Sequence, residues 1–400
     1  MRSRFTVPLA VLLLAACSRN PPPPSPANIM VREPHADSIE SVILLIGDAG
    51  EATMDHSPIL HRLRTEASTW ASSMPDSSTL VLWLGDNVYP GGLREFTHEG
   101  WAQDSTHLAS QLQVIDGDTT IRKQVRAIFI PGNHDWGHKP GEAGVRRIRN
   151  MQEFIDRNSR TATLLPRDAQ PGPAIVDVGR HLRFLIIDTA WWLLDASADA
   201  KREMILGVER AMRSAGNREV ILLAHHPWES GSSHGGLTPF WKTLGIKWLL
   251  NKSGAALQDI NSLPYRDLKN RITEVFEQVR RPLLWIGGHD HALQVIRSIG
   301  TTDPVYSVIS GAGSKSSVIG PRPGSLFQRD EPGFMRLIVQ KNGAIDLWIV
   351  SAPPDFLNCT SNNPARRDQC MNVGVESFRS VFSYRLRAPA TGTAAEGSRR

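Results

Sequence analysis

The run from Trp285 to Gln294 reads Trp-Ile-Gly-Gly-His-Asp-His-Ala-Leu-Gln, an apolar strand-like stretch followed by two histidines one residue apart. In an extended chain residues i and i+2 share a face, so His289 and His291 are expected to project together into one cleft. Two imidazoles placed this way suit a zinc or iron ion, and ligands on one rigid segment lose little freedom when it binds. Alone, such a pair is also what ordinary core or surface histidines look like. Four further apolar runs end in the same manner. Residues 41–46 lead into Gly47-Asp48-Ala49-Gly50, and residues 80–84 into Gly85-Asp86-Asn87-Val88-Tyr89. Residues 127–130 lead into Pro131-Gly132-Asn133-His134-Asp135, and residues 220–224 deliver His225-His226-Pro227. Carboxylates, imidazoles, an amide and a phenol together are more donors than one ion uses. Two ions sharing a carboxylate fit the set.

The elements that must position these residues alternate short apolar runs with longer amphipathic stretches, the pattern of an α/β domain. In such sheets, ligands gather beyond the carboxyl ends of the strands. Helices are expected over 56–70, 99–114, 145–157, 201–214 and 271–280, with paired strands at 174–178 and 182–187. Residues 305–309 form a strand ending in Ser310-Gly311-Ala312-Gly313, and 334–339 with 344–350 a hairpin over Lys341-Asn342-Gly343. The segment 231–264 is long, bears Gly and Trp, and is irregular at both ends, as lids and pocket walls are. There is no internal repeat. His56, His61, His98 and His107 fall outside the motifs and are expected to face solvent, and His226 to point away from its neighbour His225 as a structural residue.

In order and content the series Gly-Asp-Ala-Gly, Gly-Asp-Asn-Val-Tyr, Gly-Asn-His-Asp, Leu-Leu-Ala-His and Gly-His-Asp-His resembles the five metal-binding motifs of purple acid phosphatases, within the calcineurin-like metallophosphoesterases. The resemblance spans roughly residues 41–350. Most of the wider superfamily carries Asp-x-His in the first motif; this chain has Gly50 in place of that His and supplies Tyr89 in the second, the purple acid phosphatase variant. Gly-His-Asp-His-Ala-Leu-Gln, with Ser-Gly-Ala-Gly about twenty residues on, looks like the small, mammalian-type branch. The fold implied is a β-sandwich of mixed sheets flanked by helices, α/β/β/α. The ligand set implied is Asp48, Tyr89 and His291 on a ferric ion and Asn133, His225 and His289 on a divalent ion (Fe, Zn or Mn), with Asp86 bridging. Phenolate and carboxylates suit a hard trivalent ion, and imidazoles with an amide a softer divalent one.

The activity implied is hydrolysis of a small phosphorylated substrate by a metal-bound hydroxide, with His134 as proton donor to the leaving alkoxide and Asp135 orienting its other nitrogen. His234, nine positions after His225, stands where the family places a substrate-facing histidine, although the surrounding Ser-Ser-His-Gly-Gly also reads as a mobile loop. Acid phosphomonoesterase is the leading expectation. A phosphodiesterase or nucleotide pyrophosphohydrolase on the same site is the alternative within enzymes, and a binding lipoprotein with a vestigial site the alternative outside them.

The rest of the chain bounds the setting. With 400 residues, 40% hydrophobic and 21% charged, the composition is that of a globular protein with a sizeable core. The formal charge of +5 is spread among interspersed acids and bases, which favours anionic substrates or surfaces but forms no nucleic-acid footprint, and no nucleic-acid partner is expected. Arg2 and Arg4 precede an apolar stretch at 7–16, too short to span a bilayer, and Leu14-Ala15-Ala16-Cys17 resembles a bacterial lipoprotein signal. By that resemblance residues 1–16 are removed and Cys17 is lipidated. Ser18 then favours the outer membrane, so the protein is exported and lipid-anchored in the cell envelope. Residues 17–40, with Pro21 to Pro24, form a stiff linker. The phosphoesterase domain is expected over 41–351, a C-terminal extension over 352–386 and a disordered tail over 387–400. Cys359 and Cys370, in a polar segment, are a candidate disulfide.

Overall fold

The computed structural model describes residues 31–389 apart from 75–77, 118–123, 139–140, 195, 233–257, 357 and 362. Strand β1 (Ile39–Ile46) organises the first of two seven-stranded sheets. On one side of it lie the parallel strands β2 (Ser78–Trp83), β3 (Val125–Phe129) and β4 (Ala162–Leu164). On the other lie the antiparallel strands β12 (Gly333–Gln340), β13 (Ile345–Ser351) and β14 (Arg379–Arg387). The second sheet has β6 (Leu182–Ile186), β7 (Glu219–Leu223), β8 (Leu284–Gly287) and β10 (Tyr306–Ser310) in parallel. Its edges are the antiparallel β5 (Ala174–Val178), and β9 (Leu293–Arg297) with β11 (Ser325–Arg329).

Alternation along the strands sorts the side chains into three apolar layers. Ile43 and Leu45 of β1 meet Phe184, Ile221 and Leu293 between the sheets. Val42, Leu44 and Ile46 face the helices α1 (Pro58–Ser73), α2 (Trp101–Asp116) and α3 (Gly141–Asn158). Leu185, Leu222 and Trp285 on the far side of the second sheet pack beneath α4 (Thr189–Leu193), α5 (Ala198–Arg213) and α6 (Leu263–Gln278). The result is the expected α/β/β/α sandwich. Each buried Leu or Ile contributes roughly 1.5–3 kcal/mol, so the strand ends that carry the donors are firmly held.

Several segments differ from expectation for local reasons. Helix α6 begins at Leu263 rather than near 271, because Ser262 caps it by accepting from the Tyr265 N–H and Pro264 sits in its first turn, where proline starts helices instead of breaking them. Residues 31–38, expected as linker, are packed on the domain: Val31 N–H donates to Ser383 Oγ at 2.7 Å, and Glu33 pairs with Arg336 at 3.0 Å. Arg336 is buried, pairs also with Glu66 at 2.8 Å, and lies against the rings of Trp70 and Trp348. The C-terminal segment adds helix α7 (Pro364–Ser377), joined to the preceding loop by a Cys359–Cys370 disulfide, and β14, the outer strand of the first sheet. Of the four histidines expected at the surface only His98 is exposed. His56 and His61 are half-buried on the carbonyls of Cys359 and Met54, and His107 is buried on α2. Among the described residues no helix is long and apolar enough to cross a membrane.

Candidate metal centre

The parallel strands of both sheets end at one edge of the sandwich, and the two sheets are fastened there. Gly47 N–H, just past β1, donates to Ser310 O of the second sheet at 2.7 Å, and within the first sheet Asp48 N–H donates to Gly85 O, just past β2, at 3.0 Å. The turns are tight. Asp48, Asp86 and His289 all have positive φ (57°, 53° and 67°), a region that non-glycine residues avoid, and strain of this kind clusters at functional sites. Gly85 between β2 and Asp86 also has positive φ, and a Cβ there would run into the His225 ring.

Two groups of donors meet on Asp86. In one, Tyr89 OH lies 3.1 Å from each of Asp48 Oδ1, Asp86 Oδ2 and His291 Nε2, and His291 Nε2 is 3.5 Å from Asp48 Oδ1. In the other, Asn133 Oδ1 is 3.0 Å from both His225 Nε2 and His289 Nδ1, the two imidazole nitrogens are 3.3 Å apart, and His225 Nε2 is 3.3 Å from Asp86 Oδ1. Asp86, His225 and His289 present converging, buried ligand atoms. Backbone N–H groups set the carboxylates: His289 N–H donates to Asp48 Oδ2 at 2.8 Å and His134 N–H to Asp86 Oδ1 at 2.9 Å. His225 Nδ1 is held by Leu84 O at 2.8 Å, which turns Nε2 toward the cluster.

The electrostatics of this donor set call for cations. Burial raises the Asp48 carboxyl well above its usual range against the pull of His225, and the Asp86 charge adds to the rise. Burial, and then the Asp48 and Asp86 carboxylates, raise the Tyr89 phenol well above 10. Burial also works to raise Asp86, but the charge and hydrogen bond of His225, with His134, hold it below the ordinary range. Burial pushes His225 down, and Asp86 and then Asp48 overcome that to bring it up to about 10. Two carboxylates and a phenol crowded with imidazoles fit metal ions, whose charge inverts these shifts.

A family model described as calcineurin-like phosphoesterase matches residues 42–293, the span that carries all of these donors. The chain belongs to this family. Among curated proteins, none matches the sequence. Among solved structures, the chain is similar to GAP50, described as the anchor in the inner membrane complex of Plasmodium, with 14% identity over 89% of this chain and 91% of that one and a TM-score of 0.52. It is similar also to the purple acid phosphatase PPD1 from seeds of yellow lupin (Lupinus luteus), with 14% identity over 90% of this chain and 57% of that one and a TM-score of 0.54. At such identities both likenesses speak for the fold.

Within this calcineurin-like phosphoesterase the seven expected ligands Asp48, Asp86, Tyr89, Asn133, His225, His289 and His291 are brought together, but not by the expected route for the last pair. His289 and His291 lie in the turn between β8 and β9, not in a strand. The positive φ at His289 sends its ring to the Asn133 group, whereas His291 joins Tyr89. Gly50 has a steric reason to be glycine. A Cβ there would stand 2.7–2.8 Å from the backbone of Asp86, Val88 and Tyr89, so a histidine cannot enter without moving the second motif.

Asp135 does not orient His134. Its buried carboxylate accepts from the backbone N–H groups of Gly132, Asn87 and Val88 and from Asn87 Nδ2, at 2.9–3.0 Å, tying the third motif to the second. Burial and then the Asp86 charge push it up to about 7. The residue after His134 points into the loop interior, away from the ring. His134 instead places Nδ1 2.6 Å from Pro90 O, with Nε2 3.9 Å from Asp86 Oδ2 and the ring partly open to solvent. His138 was overlooked in the sequence. Its Nε2 lies 3.1 Å from His134 Nδ1 and its Nδ1 3.3 Å from Asn133 Nδ2, and the signal was there as a histidine four positions after His134. His226 points away from the donors to Thr189 Oγ1 and Gln258, as expected of a structural residue. His234 lies outside the described residues.

Proposed function

We propose that this calcineurin-like phosphoesterase is a dinuclear metal-dependent phosphomonoesterase working at acid pH on small phosphorylated substrates. The observation that carries the reading is the division of Asp86, with Oδ2 in the Asp48–Tyr89–His291 group and Oδ1 against His225 of the Asn133–His225–His289 group. A carboxylate shared in this way is what a pair of ions requires. The oxygen-rich group with its phenol suits Fe(III), and the amide and imidazole group a divalent Fe, Zn or Mn.

When bound, the two ions would neutralise phosphoryl oxygens and acidify water. The chain does the rest. The backbone N–H groups of His289 and His134 fix the carboxylates, so the donors need no reorganisation when substrate arrives. His134, with Nδ1–H given to Pro90 O, presents Nε2–H to the substrate side and passes that Nε2 proton to the leaving oxygen as the P–O bond breaks. The His138 ring packs edge-on against the same ring, with centroids 4.1 Å apart.

Metal analysis of the purified protein, with a panel of phosphomonoesters and phosphodiesters across pH, tests this directly. Two ions per chain including iron, and monoester hydrolysis strongest at acid pH, are expected. Faster diester cleavage would replace the reading with a phosphodiesterase, and metal-replete protein that hydrolyses neither would leave a binding protein.

We propose further that Cys17 carries the lipid that holds the protein to the outer membrane of the cell envelope, on the strength of Leu14-Ala15-Ala16-Cys17. One acyl-bearing terminus accounts for the whole attachment, since the apolar stretch before it is removed. Cys17→Ser is therefore expected to move the protein from the membrane to the soluble fraction. A processed Cys17→Ser protein that still sediments with membranes would rule the anchor out.

A further inference from the structure

The loop after β10 is fastened to the first group of donors on both sides of Lys315. Gly313 N–H donates to Gly47 O at 3.1 Å and Ser314 Oγ to Asp48 O before it, and Ser317 N–H donates to His291 O at 2.8 Å after it. Lys315 itself is partly exposed. Its ammonium stands 3.8 Å from the centre of the Tyr89 ring and 2.8 Å from Glu51 Oε1, with Glu51 on the turn that follows Asp48. The Tyr89 ring also meets His134 edge-on at 4.4 Å, so a cation and the proposed proton donor both pack on this one ring. Among the described residues no other lysine or arginine makes a hydrogen bond, ion pair or ring contact with Asp48, Asp86 or Tyr89.

A solvent-facing Lys–Glu pair contributes little to stability, and an ammonium over one ring gains only a little more at an exposed site, so stability alone gives little reason for a cation at the donor cluster. From this geometry we infer that Lys315 is a specificity-determining residue that binds a non-bridging oxygen of a phosphate dianion, with Glu51 as the partner it leaves when substrate enters. The inference rests on the phosphoesterase reading above and sharpens it to substrate charge. A phosphomonoester carries close to two negative charges above its second pKa near 6 and a diester one, and the cations around the site lower that pKa and so keep the bound monoester a dianion further toward acid pH. A fixed cation at the rim of the donor cluster rewards the second charge. It thereby selects monoesters over diesters without altering the metal ligands.

Two substitutions that break the same ion pair separate this role from a structural one. Lys315→Met removes the cation and keeps the stem on the ring, whereas Glu51→Gln removes the competing carboxylate. In the metal-loaded full chain at about pH 8, where inorganic phosphate is a dianion, calorimetric titration with it is expected to show Kd about 10-fold higher for Lys315→Met and about 2- to 3-fold lower for Glu51→Gln. Dimethyl phosphate, a monoanion, should change less than about 3-fold in either. Among monoester substrates the KM should follow the phosphate Kd while kcat stays within about 3-fold, and Lys315→Arg should recover most of the affinity. Shifts of the same sign in both variants, equal loss for phosphate and dimethyl phosphate, or no change would overturn the assignment. Binding is read without turnover, so a wild-type protein that hydrolysed nothing would refute the proposed function and still leave the role of Lys315 decided by the titration.

Discussion

Asp86→Ala is expected to strip both ions and abolish hydrolysis, whereas His134→Ala should retain both ions and slow turnover by roughly 10²- to 10⁴-fold, the range for a lost general acid. The contrast follows from position. Asp86 is buried, gives one oxygen to the Tyr89 group and the other to the His225 group, and receives the His134 N–H, so no neighbour can replace it. Without it His225 also loses the carboxylate that brings it up to about 10. The His134 ring stands outside the donor set, held by Pro90 O and packed edge-on against His138, and its removal leaves every ligand in place. Only its backbone N–H reaches Asp86, and alanine keeps that. Metal content per chain and single-turnover rates of both variants decide the matter. Equal metal loss in the two would remove His134 from the proton-donor role and make it part of the scaffold.

The donors could be read from the sequence because each follows an apolar run directly. Once β1, β2, β3, β7 and β8 are placed as parallel strands in two sheets, the residues after them must converge at one edge. What could not be read was how backbone turns aim side chains. His289 and His291 share a face only if the chain stays extended, and the positive φ at His289 gives them to different groups. Asp135 looked like a partner for His134 by adjacency. The structure spends its two oxygens on four N–H donors of the neighbouring loops, a demand invisible until those loops meet. Lys315 lies two residues beyond the Ser310–Gly313 run and belongs to no motif, and its approach to Tyr89 spans more than two hundred positions of sequence. The edge strands β11 and β14 carry few buried residues and α7 is weakly amphipathic, so their periodicity is faint where packing is one-sided.

Tyr89→Phe is expected to abolish a visible charge-transfer colour and weaken iron retention while leaving the fold intact. Tyr89 is buried, and its hydroxyl touches Asp48, Asp86 and His291 together. Burial and both carboxylates hold the phenol well above its ordinary pKa, so its proton leaves only if a strongly charged ion takes its place. A trivalent ion does so more readily than a divalent one, and phenolate bound to ferric iron absorbs visible light. Gly50 removes the alternative. With no room for a Cβ against the backbone of Asp86, Val88 and Tyr89, the first motif cannot supply an imidazole, and the phenol is the remaining neutral-to-anionic donor on that side. Phenylalanine keeps the ring between His134 and Lys315 and deletes only the oxygen, so the metal-free chain should still fold cooperatively, at a cost of about 1–3 kcal/mol for the buried hydrogen bonds it loses. The readouts are absorbance of the wild type and the variant, and iron per chain after dialysis against a chelator. A colourless, active wild type holding two zinc or manganese ions and no iron would show that Tyr89 serves a divalent site and would leave the assignment of Fe(III) without support.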